Sequence, residues 1–493
     1  MSIDVSGKNI SKNVVATVSQ VLVSGVVFFV LYRYLYDHLG VEQIGVWALV
    51  LASTSISRIG ELGLTAGVVK FVAQALGRND AQRAADVVQT IALTLGVFMA
   101  VLLAACYPLF VLALSYFLPA EGFPIALTIL PYALVSLWVT VVVSVFSGGL
   151  DGCMRMDLRS LLMTLFHLVY LGLAILLVPK YGLEGVAMAQ LIQSIGLLIM
   201  LWWGLRRQLK VLPVVPLHWN FPVLKDMFRY GVNFQIITIM NMLFDPMVKA
   251  MMSKFGGLEV LGYYQMANGL ILRGRGLIVE ASRVLVPAIA TLKESSAGSE
   301  RQLFNTSYRL MFYVSILFYG AMGSSITMIS MLWLGHYHAT FIQFALLLNL
   351  AWFVNTLISP AYFSNLGTGL LRPNMIAHAL IGLFTPLAGW VLGEYYGGIG
   401  VVISVVIGLI IGSVYLLLNY LNKNELKWAA FIVPQKMKLL MIFAVIAITI
   451  SNYGRDSQSA LTTVIGLTSL CVCCLLVIGW KNPARKFLLQ RIK

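Results

Sequence analysis

The stretch "GVEQIGVW" at residues 40–47 returns later in the chain as "GLEVLGYY" at residues 257–264. The two stretches share glycine, glutamate and glycine at the same three places, and residue 40 and residue 257 are 217 positions apart. A match at such a separation predicts an internal repeat, and an internal repeat decides the architecture of the whole chain.

Two further pairs of segments support the repeat. "SGGLDGCMR" at 147–155 matches "SNLGTGLLR" at 364–372 with the same offset of 217, and "YGLEG" at 181–185 matches "YGGIG" at 396–400 with an offset of 215. A nearly constant offset over about 140 residues predicts two copies of one folding unit.

The composition is that of an integral membrane protein, with 59% hydrophobic and 11% charged residues. Apolar runs recur along the chain, each long enough to cross a hydrocarbon core that needs about 20 helical residues. We predict an all-α polytopic protein with about 14 transmembrane helices. The predicted spans are 14–36, 44–72, 87–113, 125–149, 160–178, 185–205, 229–253, 260–290, 304–334, 341–366, 374–393, 399–421, 438–452 and 460–480.

Each repeat unit contains six spans, and an even number makes both copies enter the membrane from the same side. We therefore predict two pseudo-symmetric six-helix bundles, residues 1–210 and 211–425, that face each other across a central cavity. Residues 426–493 add two transmembrane helices and a basic cytoplasmic tail. Two lobes around a cavity are the architecture of an alternating-access transporter.

The net charge of +15 follows from membrane topology. With the N-terminus inside, most of the 34 Lys and Arg fall in inside loops and tails, and the outside loops hold only Lys180, Lys254 and Arg455. This is the positive-inside pattern with both termini cytoplasmic, so the charge requires no nucleic acid partner. The five cysteines lie in or beside spans, which argues against a disulfide framework, and we expect no metal site. The short outside loops argue against an enzyme.

Eight Lys and Arg lie within predicted spans. Arg33, Lys70, Arg283 and Arg309 lie near span ends, where their side chains can extend to the interface. The other four are expected to face protein or a water-filled cavity, because an intramembrane arginine costs at least about 2.5–3.5 kcal/mol. These candidate substrate-binding residues are Arg58, Lys249, Arg273 and Arg275.

Two of these arginines occupy equivalent positions in the repeat, because residue 58 plus the offset of 217 is residue 275. Arg58 and Arg275 would then approach one negative group from two sides. Arg273 and Arg275 are about 200° apart around a helix. We expect Gly274 and Gly276 to loosen this turn, or one of the two arginines to join a helix contact, with the symmetry favouring Arg275 for the cavity.

Local neutralisation is the alternative explanation of these charges. Three carboxylates lie one helical turn from a basic residue, at spacings that allow ion pairs, but a cationic surplus survives the pairing. No phosphate-binding Gly-Lys loop supplies ATP hydrolysis, so the same carboxylates are also candidates to bind a coupling H⁺ or Na⁺. They are Glu61, Asp245 and Glu280.

The chain resembles the multidrug/oligosaccharidyl-lipid/polysaccharide exporter superfamily in four features. These are the fourteen spans, the parallel repeat, "G-x-E-x-x-G-x-[WY]" at the start of spans 2 and 8, and "G-x-x-R" after spans 4 and 10. Within this superfamily the chain resembles the bacterial polysaccharide (O-antigen) flippases. The resemblance implies a V-shaped pair of bundles in the inner membrane. It also implies an undecaprenyl-pyrophosphate-linked oligosaccharide that is moved from the inner to the outer leaflet. Polysaccharide polymerase and chain-length machinery are the partners that it implies.

Arginine fits that cargo, because a guanidinium binds phosphate oxygens in bidentate fashion. Lipid II flippases share the cationic cavity and stay an alternative. Drug/cation antiporters of the superfamily would be expected to show carboxylates as the dominant cavity charge. A membrane glycan polymerase, from the enzyme class, would need a sizeable outside loop.

Overall fold

The computed structural model describes residues 7–55, 64–282, 299–368, 370–424, 437–452 and 461–481. Thirteen helices form most of this described part of the chain. They are α1 (Gly7–Leu39), α2 (Val41–Ser55), α3 (Leu64–Gly77), α4 (Ala81–Phe117), α5 (Gly122–Gly152), α6 (Met156–Gln208), α7 (Phe221–Ser282), α8 (Ser299–Trp333), α9 (Ala339–Leu357), α10 (Ser359–Thr368), α11 (Leu371–Lys423), α12 (Lys438–Asn452) and α13 (Leu461–Lys481).

The helices agree with the predicted spans. Helices α6, α7 and α11 each consist of two arms that meet at a glycine, at Gly182, Gly257 and Gly397 respectively. With these arms counted separately, described helices lie at all fourteen predicted places, where α2 and α3 both overlap the predicted span 44–72 and α9 and α10 both overlap the predicted span 341–366. Eight described helices are long and apolar enough to cross a membrane. The prediction of an all-α polytopic membrane protein is confirmed.

Helix α6 reverses direction at Gly182, which has φ 56° and ψ −135°. This backbone conformation is accessible to glycine and strained for any residue with a Cβ. Residues eight apart in a straight helix are separated by about 12 Å. Here, a Cβ on Gly185 would instead meet the backbone of Leu177. The two arms of α6 are therefore antiparallel and packed together immediately at the turn.

The second half of the chain repeats this geometry. Gly397 in α11 has φ 62° and ψ −147°, and a Cβ on Gly400 would meet the backbone of Leu392. These three residues lie 215 positions after their counterparts in α6, which is the offset read from the sequence. Gly40 and Gly257, matched at an offset of 217, also share a positive φ, 79° and 83°. Matched glycines thus adopt matched backbone conformations.

The two copies of the opening motif contact each other reciprocally. A Cβ on Gly45 would overlap the backbone of Leu258, and a Cβ on Gly262 would overlap the backbone of Val41. Residues 41 and 45 are the counterparts of 258 and 262 at the offset of 217. The contact of Gly45 with Leu258 is therefore equivalent to the contact of Gly262 with Val41. A twofold axis between the two segments would generate such a pair of contacts.

The chain forms two compact units, Met1–Gly262 and Tyr263–Lys493. A core cluster of the first unit is built by α3, α4, α5, the second arm of α6 and the start of α7, and a core cluster of the second unit by α8 to α13. Units defined by compactness do not test where a repeat begins, so the division into 1–210, 211–425 and 426–493 stays a prediction.

The two C-terminal helices pack on α8. Asn452 of α12 accepts a hydrogen bond from the hydroxyl of Thr327 at 2.6 Å and donates one to the carbonyl of Gly323 at 2.9 Å. The hydroxyl of Tyr313 donates to the carbonyl of Gly479 in α13 at 2.8 Å. These interhelical bonds satisfy polar groups that lipid could not satisfy and fix α12 and α13 against α8.

Candidate functional site

The second arm of α7, residues 258–282, carries both arginines of the motif "RGR". Gly257 is the residue of α7 that departs from helical φ and ψ, so the helix is regular through Gly274 and Gly276. The expectation that these glycines loosen the turn is wrong. Gly274 has a packing role instead, because the ring of Phe318 from α8 occupies the space that a Cβ would need. Arg273 and Arg275 consequently leave the helix on different sides.

The guanidinium of Arg275 is held by two residues of α9. Its Nη2 donates a hydrogen bond to Oδ1 of Asn355 at 2.8 Å. Its Cζ lies 4.8 Å from the centre of the Trp352 ring, within the range of a cation–π interaction. Both partners are neutral, so they orient the guanidinium and leave its charge unchanged.

The two partners are fixed in turn by other helices. Trp352 donates from Nε1 to Oδ1 of Asn268, two turns before Arg275 in α7, at 3.1 Å. Asn355 donates from Nδ2 to the hydroxyl of Ser413, in the second arm of α11, at 3.1 Å. We call these five residues the Arg275 cluster. Its hydrogen bonds join α7, α9 and α11 within the second unit and restrict the position of the guanidinium.

Two titratable side chains interact electrostatically with Arg275 from further elements. Tyr319 of α8 has its hydroxyl 2.8 Å from that of Thr356. His378, in the first arm of α11, meets the ring of Tyr362 edge-on with centroids 5.6 Å apart. The described surroundings of the guanidinium are thus hydroxyl, amide, imidazole and indole groups.

Arg275 has a free hydrogen-bond donor. Among the described residues no carboxylate forms an ion pair with Arg275, and its Nε is buried without a hydrogen-bond partner. A half-buried charge whose partners are neutral, and a buried N–H that makes no hydrogen bond, are both unfavourable by themselves. Both would be satisfied by an anion with oxygen acceptors.

Lys249 has a different environment, in the first arm of α7. It is buried, and its Nζ lies 2.7 Å from Oδ2 of Asp245, whose side chain is 43% exposed. The ion pair predicted from the i,i+4 spacing is therefore present. Local neutralisation explains Lys249 without a ligand, and its role in substrate binding stays a prediction.

We predict an energetic coupling between Lys249 and Asp245. Removing the carboxylate with Asp245→Ala leaves a buried ammonium unpaired, so the loss of stability should exceed that of the Lys249→Met, Asp245→Ala double variant. We expect a coupling free energy of about 0.5–1.5 kcal/mol, reduced by the exposure of Asp245. The measurement is a double-mutant cycle on the free energy of unfolding in detergent.

The matched control is the ion pair of Arg33 with Asp37 in α1, which has the same i,i+4 spacing and a distance of 2.9 Å. Both of its side chains are more than a third exposed, so its coupling should be only about 0.2–0.5 kcal/mol. Equal couplings in the two pairs would show that the burial of Lys249 has no energetic consequence.

The structure shows less about the other residues that were predicted to bind substrate or a coupling ion. Arg273 is half-buried, and its Nη1 donates to the carbonyl of Gly269 in its own helix at 3.1 Å. Arg58, Glu61 and the side chain of Glu280 lie outside the described residues. The pairing of Arg58 with Arg275 and the ion-coupling roles of Glu61, Asp245 and Glu280 therefore stay predictions.

Sequence reasoning missed the neutral members of the cluster. Asn268 and Asn355 lie within apolar spans, and an amide at such a depth needs an internal partner, so both carried a usable signal. Trp352 and Ser413 carried none, because tryptophan and serine also occur in spans for reasons of packing. Only the contacts between helices distinguish these two from their neighbours.

The fold is that of a class of membrane transporters with known structures. The chain matches "Lipid II flippase MurJ, inward closed conformation" with a TM-score of 0.71 and 15% identity, over 95% of this chain and 99% of that one. It matches an inward-facing multidrug resistance MATE family transporter of the MOP superfamily with a TM-score of 0.70 and 15% identity, over 81% and 94%. A MOP superfamily transporter from Pyrococcus furiosus gives 0.57 and 15%, over 84% and 95%. At such identities the likeness shows the fold.

The family follows from the sequence itself. The profile of the family described as "Polysaccharide biosynthesis protein" matches residues 38–342, well over half of the 493 residues. No individual curated protein matches the chain significantly in sequence. The chain belongs to this polysaccharide biosynthesis family, and with the fold this confirms the resemblance noted from the motifs.

Proposed function

We propose that the protein is a flippase that moves an undecaprenyl-pyrophosphate-linked oligosaccharide from the inner to the outer leaflet of the bacterial cytoplasmic membrane. An O-antigen or a related polysaccharide repeat unit is the proposed glycan. The single observation that carries the proposal is the half-buried Arg275, whose guanidinium has neutral partners and whose buried Nε has no hydrogen-bond partner, in a chain of the polysaccharide biosynthesis family.

The chemistry of the cluster suits a pyrophosphate. Trp352 and Asn355 hold the guanidinium plane, so Nε can meet a phosphate oxygen without a further loss of side-chain freedom. The positive charge offsets part of the cost of removing a multiply charged headgroup from water. Arg58 is proposed to act in the same way in the first repeat. No bond is made or broken in this process, so the proposed activity is transport and not catalysis.

Orientation and energy supply belong to the same proposal. Both termini are proposed to lie in the cytoplasm, which the distribution of Lys and Arg supports. Coupling to H⁺ or Na⁺ through Glu61, Asp245 or Glu280, or counterflow driven by the cargo gradient, would supply the energy for alternating access. Polysaccharide polymerase and chain-length machinery are the proposed partners on the outer side.

Deletion of the gene tests the proposal. Surface polysaccharide should be lost, and complete lipid-linked repeat units should accumulate on the inner leaflet, where mass spectrometry of lipid extracts and a membrane-impermeant labelling reagent detect them. A plasmid copy should reverse both effects. Accumulation of incomplete repeat units would contradict transport and indicate that the protein takes part in glycan synthesis.

The lipid II flippases supply a second candidate, favoured by the alignment with 99% of one such structure. The accumulated lipid decides between the two candidates. Lipid II in place of the polysaccharide precursor, together with failure of cell-wall growth, would support the second candidate. Altered drug resistance with unchanged lipid intermediates would instead indicate an antiporter.

A further inference from the structure

The segment between α6 and α7, residues 209–220, is not helical and lies along the start of α4. We call it the linker. Polar side chains on one face of α4 bind it at successive turns, and two of them, Gln89 and Thr90, are buried beneath it. The contacts are Trp219 Nε1 to Thr94 Oγ1 (3.0 Å), the Asn220 amide to Thr90 Oγ1 (3.1 Å), the His218 amide to Gln89 Oε1 (3.3 Å) and His218 Nε2 to Asp86 Oδ1 (3.7 Å).

A second set of bonds fixes the linker to α6. Trp202 donates from Nε1 to the carbonyl of Val214 at 2.8 Å, and Nε of Arg206 lies 3.4 Å from the carbonyl of Leu212. The linker is thus attached along its length to α4 and α6. We call the side of the linker that faces away from these two helices its free side.

The position of the linker on α4 places it at a membrane boundary. The predicted span of α4 begins at residue 87, and Thr94 lies seven residues further on, about 10 Å deeper at 1.5 Å per residue. The indole of Trp219 binds at that level. The linker therefore extends from the predicted boundary near Asp86, where lipid headgroups meet acyl chains, into the adjoining part of the acyl region.

The free side of the linker is apolar. Leu217 is 74% exposed and Val214 70%, and Val215, Trp219 and the adjoining first residue of α7, Phe221, are all at least half exposed. Five large apolar side chains exposed within eight residues form a patch that water would solvate poorly. An extended segment that is held by its backbone and directs such side chains outward is suited to a lipid surface.

Basic residues flank this apolar patch. Residues 206–228 contain four basic residues and one acidic residue, Asp226, whose Oδ2 lies 3.4 Å from a guanidinium nitrogen of Arg83. Three of the basic side chains are exposed, those of Arg207, Lys210 and Lys225. The patch therefore combines inserted apolar groups with a positive rim, which complements negative headgroups.

We propose that the linker is an interfacial anchor that binds anionic phospholipid headgroups of the inner leaflet, with Val214, Leu217 and Trp219 inserted beside the acyl chains. Lys210 and Lys225 contact the phosphates. The anchor holds the start of α4 and the end of α6 at a constant depth, and it would do so whichever substrate the protein carries.

The depth of Leu217 tests the insertion. A nitroxide at Leu217→Cys, in a full-length variant with the five native cysteines replaced by serine, is compared in nanodiscs for its accessibility to oxygen and to a water-soluble nickel chelate. The proposal expects oxygen to dominate at Leu217, and the chelate to dominate at Lys210→Cys. Chelate dominance at Leu217 would place the patch in water or against another protein and would overturn the proposal.

The charge of the lipid is tested without cysteine replacement. The full-length protein should melt several degrees higher in nanodiscs of phosphatidylcholine with phosphatidylglycerol than in phosphatidylcholine alone. Lys210→Gln with Lys225→Gln should remove most of this difference. The matched control Lys180→Gln, which replaces an exposed lysine at the end of the first arm of α6, should retain the difference in melting temperature. The anionic anchor would be refuted if the wild-type protein melted at the same temperature in the two lipids. It would also be refuted if Lys180→Gln reduced the difference in melting temperature as much as the Lys210→Gln, Lys225→Gln double variant does.

Discussion

Replacement of Arg275 by alanine is expected to lower transport of the lipid-linked glycan by about 10- to 150-fold. This range corresponds to the loss of one hydrogen-bonded charge contact worth about 1.5–3 kcal/mol. Arg275→Lys keeps the charge but loses the planar donor arrangement and the stacking on Trp352, so it should retain an intermediate rate. Surface glycan in cells, and translocation of labelled substrate in proteoliposomes, are the measurements.

The matched control is Arg33→Ala, which removes a guanidinium that is already paired with Asp37 and is more than a third exposed. It should leave transport near the wild-type level. Amount and melting temperature of Arg275→Ala must also match the wild-type protein, because a structural role alone would lower both. Unaltered glycan display by well-folded Arg275→Ala would eliminate this residue from the substrate site.

The second large effect is expected at the reciprocal contact between α2 and α7. Gly45→Ala puts a methyl group into the backbone of Leu258, and Gly262→Ala puts one into the backbone of Val41. Since backbone cannot rotate away as a side chain can, we expect each substitution to cost about 1–3 kcal/mol, as overpacking does. The equivalent geometry predicts similar losses for the two variants.

Gly25→Ala in α1 is the matched control, because nothing lies within 4 Å of the added methyl group. Alanine is the better helix former by about 0.5–1 kcal/mol, so this control should be neutral or slightly stabilising. Thermal unfolding in detergent measures all three variants. If Gly45→Ala and Gly262→Ala unfold at the temperature of Gly25→Ala, the close approach of the two segments does not contribute to stability.

The sequence was sufficient for the features that repeat. A glycine leaves a strong sequence signal where the backbone takes a conformation that other residues avoid, and the pairs Gly40/Gly257 and Gly182/Gly397 were visible for that reason. The spans were visible because the hydrocarbon core requires a minimum length of apolar helix. Spacing along one helix was sufficient for the pair of Lys249 with Asp245.

The surroundings of Arg275 were beyond the sequence. Asn355 is 80 residues from Arg275, and no periodicity in either helix indicates that they meet. The direction of a side chain in a span that is apolar all round depends on which helices surround it. Gly274 illustrates the same point, because its contact with Phe318, and not any flexibility, accounts for a glycine between two arginines.

The turns at Gly182 and Gly397 have a consequence for biogenesis. Because the arms of α6 and of α11 contact each other directly beside a single glycine, only a tight turn with one or two charged side chains needs to cross the bilayer when each hairpin inserts. Each pair of arms is suited to enter the membrane together as one helical hairpin. The same compactness makes both turns poor places for an epitope tag, since any added residue would separate the arms at the point where they are closest.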